Sequence, residues 1–141
     1  MVITKQFVHL YEIVRSSFIM EAKKITESEL EILNIIWGKG TATVREVHEI
    51  LEKQKQSGYT TTLKLMQIML EKGILKRKEN ERSHVYEAAV EKEKTQGNLL
   101  QKVIDNVFNG SASGLVIQAL GNKKTTKEEL DEIRKYLENM E

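Results

Sequence analysis

The stretch Ser57–Gly73, SGYTTTLKLMQIMLEKG, decides how the rest of the chain is interpreted. Its spacing predicts a helix over residues 59–72 with two unlike faces. The apolar face consists of Leu65, Met66, Met69 and Leu70, with Leu63 at its margin. The polar face consists of Thr60, Lys64, Gln67 and Glu71, with Thr61 and Ile68 along its edge. A lone helix of this kind is more often solvated surface than a binding site, so its neighbours must decide its role.

Length and composition indicate a soluble, mainly helical protein of one domain or two small ones. The chain has 141 residues, of which 40% are hydrophobic and 30% charged, and it contains no proline. The absence of cysteine excludes a disulfide framework and a thiolate metal site. The net charge of +1 gives no global sign of a nucleic-acid partner, so only a local cluster could provide one. No apolar run is long enough to span a membrane, and we expect a cytoplasmic protein without membrane insertion.

Two capped helices are predicted before the opening stretch. Thr26 with Glu29, and Thr43 with Glu46, have the spacing of capping boxes, in which two side chains satisfy free amides at a helix start. Apolar residues follow each box at helical spacing. Within the second helix, His48 is interpreted as a packed or half-exposed imidazole rather than a metal ligand, because no second ligand stands at a suitable spacing.

A basic hairpin is predicted after the opening stretch. Residues 74–79 and 84–88 have the composition of two short strands around a polar turn, although the turn lacks an Asn-Gly pair. Three helices followed by a hairpin predict a winged helix-turn-helix over residues 25–89. Basic side chains gather at this hairpin and the preceding helix end: Lys72, Lys76, Arg77, Lys78, Arg82 and His84.

Residues 90–141 are predicted to form a helical dimerisation region. Three short helices cannot enclose much core alone, and a second copy related by two-fold symmetry would cover their apolar stripes. The alternative is that this segment folds back on the N-terminal domain. The residues predicted at the dimer interface are Leu100, Val103, Ile104, Val107, Phe108, Leu115, Val116, Leu120, Leu130, Ile133 and Leu137.

Residues 1–24 are predicted to be an N-terminal extension. An amphipathic helix at residues 7–18 would suit a membrane surface or a partner, but its polar side is not enriched in basic residues. The other interpretation is that the working protein starts at Met20.

The predicted fold class is therefore mainly α with a small β-hairpin wing (α+β), with the winged helix first and the dimerisation region second. We expect the opening helix to lie in a DNA major groove and the hairpin to follow the phosphate backbone. The predicted DNA contacts are Thr43, Arg45, Tyr59, Thr60, Thr61, Lys64, Gln67, Lys76, Arg77 and Arg82. The alternative is a winged helix used as a protein-interaction or scaffold module. Since phosphate loops, nucleophile elbows and paired metal-binding histidines are all missing from the sequence, we expect no enzyme, cofactor or metal.

Several segments together resemble the penicillinase and methicillin-resistance repressor family, to which the copper-responsive repressors are related. They are TESELEILNIIWGKGTATVREVHEIL from residue 26, YTTTLKLMQIMLEKGIL from residue 59, VYEAAVEKE from residue 85, FNGSASGLVIQAL from residue 108 and EELDEIRKYL from residue 128. The resemblance covers roughly residues 25–138. It implies a dimeric transcriptional repressor on a palindromic operator of double-stranded DNA, with Thr60, Thr61 and Lys64 as recognition-helix contacts and Arg82 as a wing contact.

Two departures from the family pattern limit what the resemblance implies about induction. The copper-responsive members have a Cys-x-Cys motif near the C-terminus, and this chain has no cysteine. The β-lactam-responsive members are cleaved at an Asn-Phe bond, and Lys102-Val103 stands at the matching position here. A sensor protease of the membrane is left open as a partner, but the sequence does not contain the expected cleavage bond.

Overall fold

The structure is a computed structural model that describes residues 24–78, 84–122 and 124–140. The chain divides into two compact units, with the boundary between Lys92 and Glu93. The amphipathic helix predicted within residues 1–23 and the polar turn that contains Arg82 lie outside the described residues. No helix in the described ranges is long and apolar enough to cross a membrane.

The first unit is a winged helix-turn-helix, as the sequence predicts. Its elements in chain order are α1 (Glu27–Lys39), β1 (Thr41–Thr43), α2 (Val44–Gln54), α3 (Tyr59–Glu71), β2 (Leu75–Lys78) and β3 (Val85–Ala88). The three strands form an antiparallel sheet in the order β1-β3-β2. Tyr86 on the central strand lies opposite Ala42 on one side and Arg77 on the other. Strand β1 was not predicted from the sequence, because three residues are too few to display an alternating pattern.

The ends of the helices follow local chemistry. Thr26 and Thr43 each accept a hydrogen bond from the amide three residues on, at 3.2 Å, while Glu29 and Glu46 bond back to the cap amides at 2.9 Å. Gly40, just after α1, has φ of 88°, a left-handed conformation that favours glycine. Both predicted capping boxes in this unit are confirmed.

One hydrophobic core joins the helices to the sheet. The indole Nε1 of Trp37 donates to the carbonyl oxygen of Val90 at 3.1 Å, so this half-buried ring also ties α1 to the chain beyond β3. The buried core residues are Ile32, Leu33, Ile36, Ala42, Val44, Val47, Leu51, Met66, Met69, Ile74, Leu75 and Tyr86.

The second unit carries three helices: α4 (Lys92–Val107), α5 (Ala112–Asn122) and α6 (Lys127–Glu138). Thr126 and Glu129 form a capping box at the start of α6. Within the described residues, α5 and α6 bury no side chain. The large apolar side chains left exposed on this unit are Leu100, Val103, Val107, Val116, Ile117, Tyr136, Leu137 and Met140.

Candidate nucleic-acid interface

Helix α3 presents the predicted polar face to solvent. Thr60, Thr61, Lys64 and Gln67 are all exposed. The predicted apolar face packs on the core: Met66 and Met69 are fully buried, and Leu63, Leu65 and Leu70 are half-buried against it. Thr62, which was not predicted on this face, is also buried, and its hydroxyl has a hydrogen-bond partner on α2.

The start of α3 is open to an anion. Gly58 is its N-cap, and no described side chain caps it. The first amides of a helix have no intrahelical acceptor, and the helix dipole places partial positive charge at the same end. Tyr59, the first helical residue, is 44% exposed. This end of α3 therefore has the donors, the hydroxyls of Thr60 and Thr61, and the field that a phosphate group requires.

The start of α2 holds two more predicted contacts. Arg45 is exposed in the first turn. Thr43 is half-buried and its hydroxyl oxygen already accepts the capping bond from Glu46. A hydroxyl that accepts one bond still has a proton to donate, so the cap and a phosphate contact are compatible at Thr43.

The wing strand β2 exposes Lys76, Arg77 and Lys78. The guanidinium carbon of Arg77 lies 5.8 Å from the ring centroid of Tyr86, its cross-strand partner, so a cation–π contact supports its side chain. The ammonium of Lys76 lies 3.5 Å from the carboxylate of Glu87, and that pair is largely exposed and weak. Arg77 is therefore the better placed of these two cations for a phosphate.

Lys72 does not belong to the exposed basic cluster in which the sequence analysis counted it. Its ammonium donates to both carboxylate oxygens of Glu29, at 2.9 and 3.0 Å, and to the carbonyl oxygen of Lys24 at 3.3 Å. Burial by itself raises the pKa of Glu29, but the hydrogen bonds from Lys72 and Thr26 outweigh it and hold that pKa below its usual 4.5. This pair was not predicted from the sequence, because its partners are 43 residues apart.

His48 lies between α2 and the first turn of α3. Its Nδ1 is 3.3 Å from the hydroxyl oxygen of Thr62, and its ring meets the ring of Tyr59 edge-to-face at 5.5 Å between centroids. The interpretation of His48 as a packed imidazole agrees with this placement. Its contact with the candidate DNA-binding helix was not foreseen, since spacing along α2 reveals nothing about which residue of α3 lies opposite.

The predicted dimerisation residues fall into three groups by exposure. The exposed group is Leu100, Val103, Val107, Val116 and Leu137. The half-buried group is Phe108, Leu115, Leu120, Leu130 and Ile133. Ile104 alone is buried within the single chain and has little surface left to offer a partner.

Comparison with known proteins identifies the family. The family profile described as penicillinase repressor matches residues 25–139. The methicillin resistance regulatory protein MecI of Staphylococcus aureus (strain N315) is 26% identical over 114 residues, which cover 81% of this chain and 93% of that protein. A penicillinase repressor of Staphylococcus aureus is 23% identical over 117 residues, covering 83% and 93% of the two chains. The oxidized form of MarR from E. coli superposes with a TM-score of 0.47 at 14% identity, over 96% of this chain and 92% of that one. The chain belongs to the penicillinase repressor family, whose members are transcriptional repressors and not enzymes, as its motifs predict.

Proposed function

We propose that the protein is a homodimeric repressor that blocks transcription by binding a palindromic operator in double-stranded DNA. The observation that carries this proposal is the exposed Thr60, Thr61 and Lys64 face at the open end of α3. In a helix-turn-helix, the N-terminal part of the recognition helix is the part that contacts base edges. The names of the relatives, penicillinase repressor and methicillin resistance regulatory protein, support the regulatory role.

Each side chain on α3 has a role set by its position. Thr60 and Thr61 lie in the first turn, where their hydroxyls and the free amides reach a phosphate or a base edge. Lys64 is one turn further and reaches a guanine edge or a phosphate, and Gln67 suits an adenine edge. Glu71 at the far end would repel phosphate, so the helix leaves the groove before it.

The other predicted contacts fix the register of the protein on the duplex. Thr43 and Arg45 at the start of α2, Tyr59 at the start of α3, and Lys76 and Arg77 on β2 contact the sugar-phosphate backbone. Arg82 lies outside the described residues, and the family resemblance alone implies it as a further contact of the wing. Such contacts add affinity for all sequences and make binding depend on salt.

The second unit supplies the dimer contacts in this proposal. Val107 and Ile117 are 67% and 71% exposed in the single chain. Burial of such side chains against a second copy gains about 25 cal/mol per Å² of apolar surface. A two-fold axis then presents two copies of α3 to half-sites about 34–36 Å apart, or a multiple of that distance.

The resemblance adds a membrane-bound sensor protease as a candidate partner. The matching bond, Lys102-Val103, lies inside α4, where its backbone takes part in helical hydrogen bonds. Cleavage at this position would require the helix to unwind locally, and the side chains differ from the Asn-Phe pair of the β-lactam-responsive relatives. We therefore assign the protease no residue of this chain.

Fluorescence anisotropy tests the proposal directly. The probes are a labelled duplex from immediately upstream of the coding sequence and a duplex of the same composition in shuffled order, each titrated at several salt concentrations. Thr61→Ala and Lys64→Ala should weaken binding to the upstream duplex by about 5- to 50-fold and to the shuffled duplex far less. Glu71→Ala is the matched control on the same helix. Equal affinity of the wild type for both duplexes, or full affinity in both variants, would contradict the proposal.

A further inference from the structure

One imidazole touches the first turn of α3 at two points. From α2, His48 hydrogen-bonds to Thr62 at 3.3 Å and stacks edge-to-face on Tyr59 with an interplanar angle of 87°. Residues 59 and 62 are three apart and therefore lie on the same side of the helix. Between and beside them in sequence stand Thr60, Thr61 and Lys64, which face solvent.

This contact compensates for a missing cap. Of the three helices described in the first unit, α1 and α2 begin with capping boxes, whereas no described side chain caps α3 at Gly58. An uncapped first turn frays readily, because its leading amides have no intrahelical acceptor and each ordered residue costs conformational entropy. Here the Thr61 amide donates to the carbonyl oxygen of Gly58 at 3.1 Å, so the amides that a phosphate can use are those of Tyr59 and Thr60. Support from His48 orders the turn without a side-chain cap and does not occupy these two amides.

The hydroxyl of Thr62 makes the contact specific. Thr62 has 0% exposure, and a buried hydroxyl without a hydrogen bond is costly. No buried side-chain nitrogen or oxygen in the described part of the chain lacks a partner. The bond works in either tautomer, with the threonine hydroxyl donating to Nδ1 or Nδ1–H donating to the hydroxyl oxygen. Nε2 lies 3.9 Å from the carboxylate of the exposed Glu52, so the other side of the ring does not pair with a buried group there.

We propose that His48 is a positioning residue for sequence-specific DNA binding, which holds the first turn of α3 in the geometry that presents Thr60, Thr61 and Lys64. It does not touch DNA itself. The inference rests on the proposed function, in which α3 is the recognition helix. If the turn is ordered only part of the time, the apparent affinity for DNA is reduced in proportion to the ordered fraction. Specificity is reduced as well, because side chains without a fixed position discriminate less between bases.

The experiment compares variants that separate positioning from stability. His48→Leu keeps an apolar side chain but removes the hydrogen bond, and Thr62→Val removes the same bond from the other side with little change in shape. His48→Asn restores an amide near the position of Nδ1, because Asn and His share the Cβ–Cγ–N geometry. Ile32→Val in the core of α1 is the control that lowers stability without touching this contact.

The measurement is the ratio of the Kd for the shuffled duplex to the Kd for the upstream duplex, with the folded fraction followed by circular dichroism. Loss of folded protein changes both constants equally and leaves the ratio unchanged. We expect His48→Leu and Thr62→Val each to lower the ratio about five-fold. We expect the double variant to lower it no further than either single one, His48→Asn to recover part of it, and Ile32→Val to leave it at the wild-type value.

The failures of the two proposals are distinguishable. If the wild type does not discriminate between the duplexes, the proposed function is overturned. If the wild type discriminates but Thr62→Val and His48→Leu keep its ratio, the positioning role is overturned and the proposed function stands. If His48→Leu does not fold, the isosteric Thr62→Val variant decides the same question.

Discussion

Replacing Lys72 by methionine should destabilise the protein through a single buried carboxylate. Glu29 is only 1% exposed, and its carboxylate accepts two hydrogen bonds from the Lys72 ammonium, at 2.9 and 3.0 Å. Methionine keeps the length of the lysine stem but removes the charge. Glu29 then retains the amide of Thr26 as a donor and has no cation beside it.

The expected cost follows from the burial of the pair. Removing one partner of a fully buried ion pair costs about 3–5 kcal/mol, because the other charge is left without compensation. The Lys72 side chain is 30% exposed, so water can replace part of what the ammonium supplied. We therefore expect a loss of about 2 kcal/mol in the free energy of unfolding near neutral pH, which lowers Tm by about 10 °C for a unit of this size.

The difference in stability between the wild type and Lys72→Met should depend on pH through the protonation of Glu29. In the wild type the folded pKa of Glu29 is lowered, so its contribution is fully present above the ordinary value of 4.5 and is lost as pH falls through the lowered pKa. In Lys72→Met, burial without the cation raises the folded pKa, so the penalty is present at neutral pH and disappears as Glu29 takes up a proton. The stability gap between the two proteins should therefore narrow between about pH 7 and about pH 4.

Urea unfolding at several pH values measures this gap. Lys72→Arg retains a cation and should recover most of the stability. The matched control is Lys55→Met, which removes an ion pair with Glu31 of the same 2.9 Å length between side chains 45% and 36% exposed, and should cost less than about 1 kcal/mol. An equal cost for the Lys72 and Lys55 variants, or a stability gap that widens toward acid pH, would show that the burial of Glu29 does not set the cost.

Two further predictions concern the wing and the second unit. Arg77→Gln should weaken binding to the upstream and shuffled duplexes alike and reduce the salt slope by about 1, measured by anisotropy across a salt series; an unchanged slope would remove Arg77 from the phosphate contacts. Val107→Glu should convert the proposed dimer to a monomer at micromolar concentration, measured by sedimentation, because a carboxylate buried at an apolar interface lacks a partner. Asn106→Glu on the same helix should leave the mass unchanged, and an unchanged mass for Val107→Glu would exclude this face.

Local chemistry explains why most helices were predictable. A capping box is complete within four residues, so the pairs Thr26 with Glu29 and Thr43 with Glu46 predict the start of their helices from the sequence alone. The order of three helices and a hairpin then leaves few folds to choose from. Strand β1 escaped prediction because its three residues pair with β3, more than 40 positions away, and have no periodic signature of their own.

The candidate interface was predictable on its outer side and not on its inner side. The exposure of polar residues such as Thr60 and Lys64 follows from helical spacing, because residues on the same face of a helix share the same environment. Which groups meet beneath the face depends on how two helices cross. Tertiary packing buries Thr62, places His48 against it and pairs Lys72 with Glu29.

The most direct measurement of the central claim, that α3 lies in the major groove of two half-sites, uses the absence of cysteine in this chain. Gln67→Cys, carrying a tethered iron chelate, gives one DNA-cleaving group on the exposed face of α3, and Asn34→Cys places the same group on α1 as a control. If α3 lies in the groove, position 67 should give two clusters of cuts in the upstream duplex, with centres about 10–10.5 base pairs apart or a multiple of that, and position 34 should give none. Cuts from position 34 alone, or uniform cutting along the duplex from position 67, would contradict this claim.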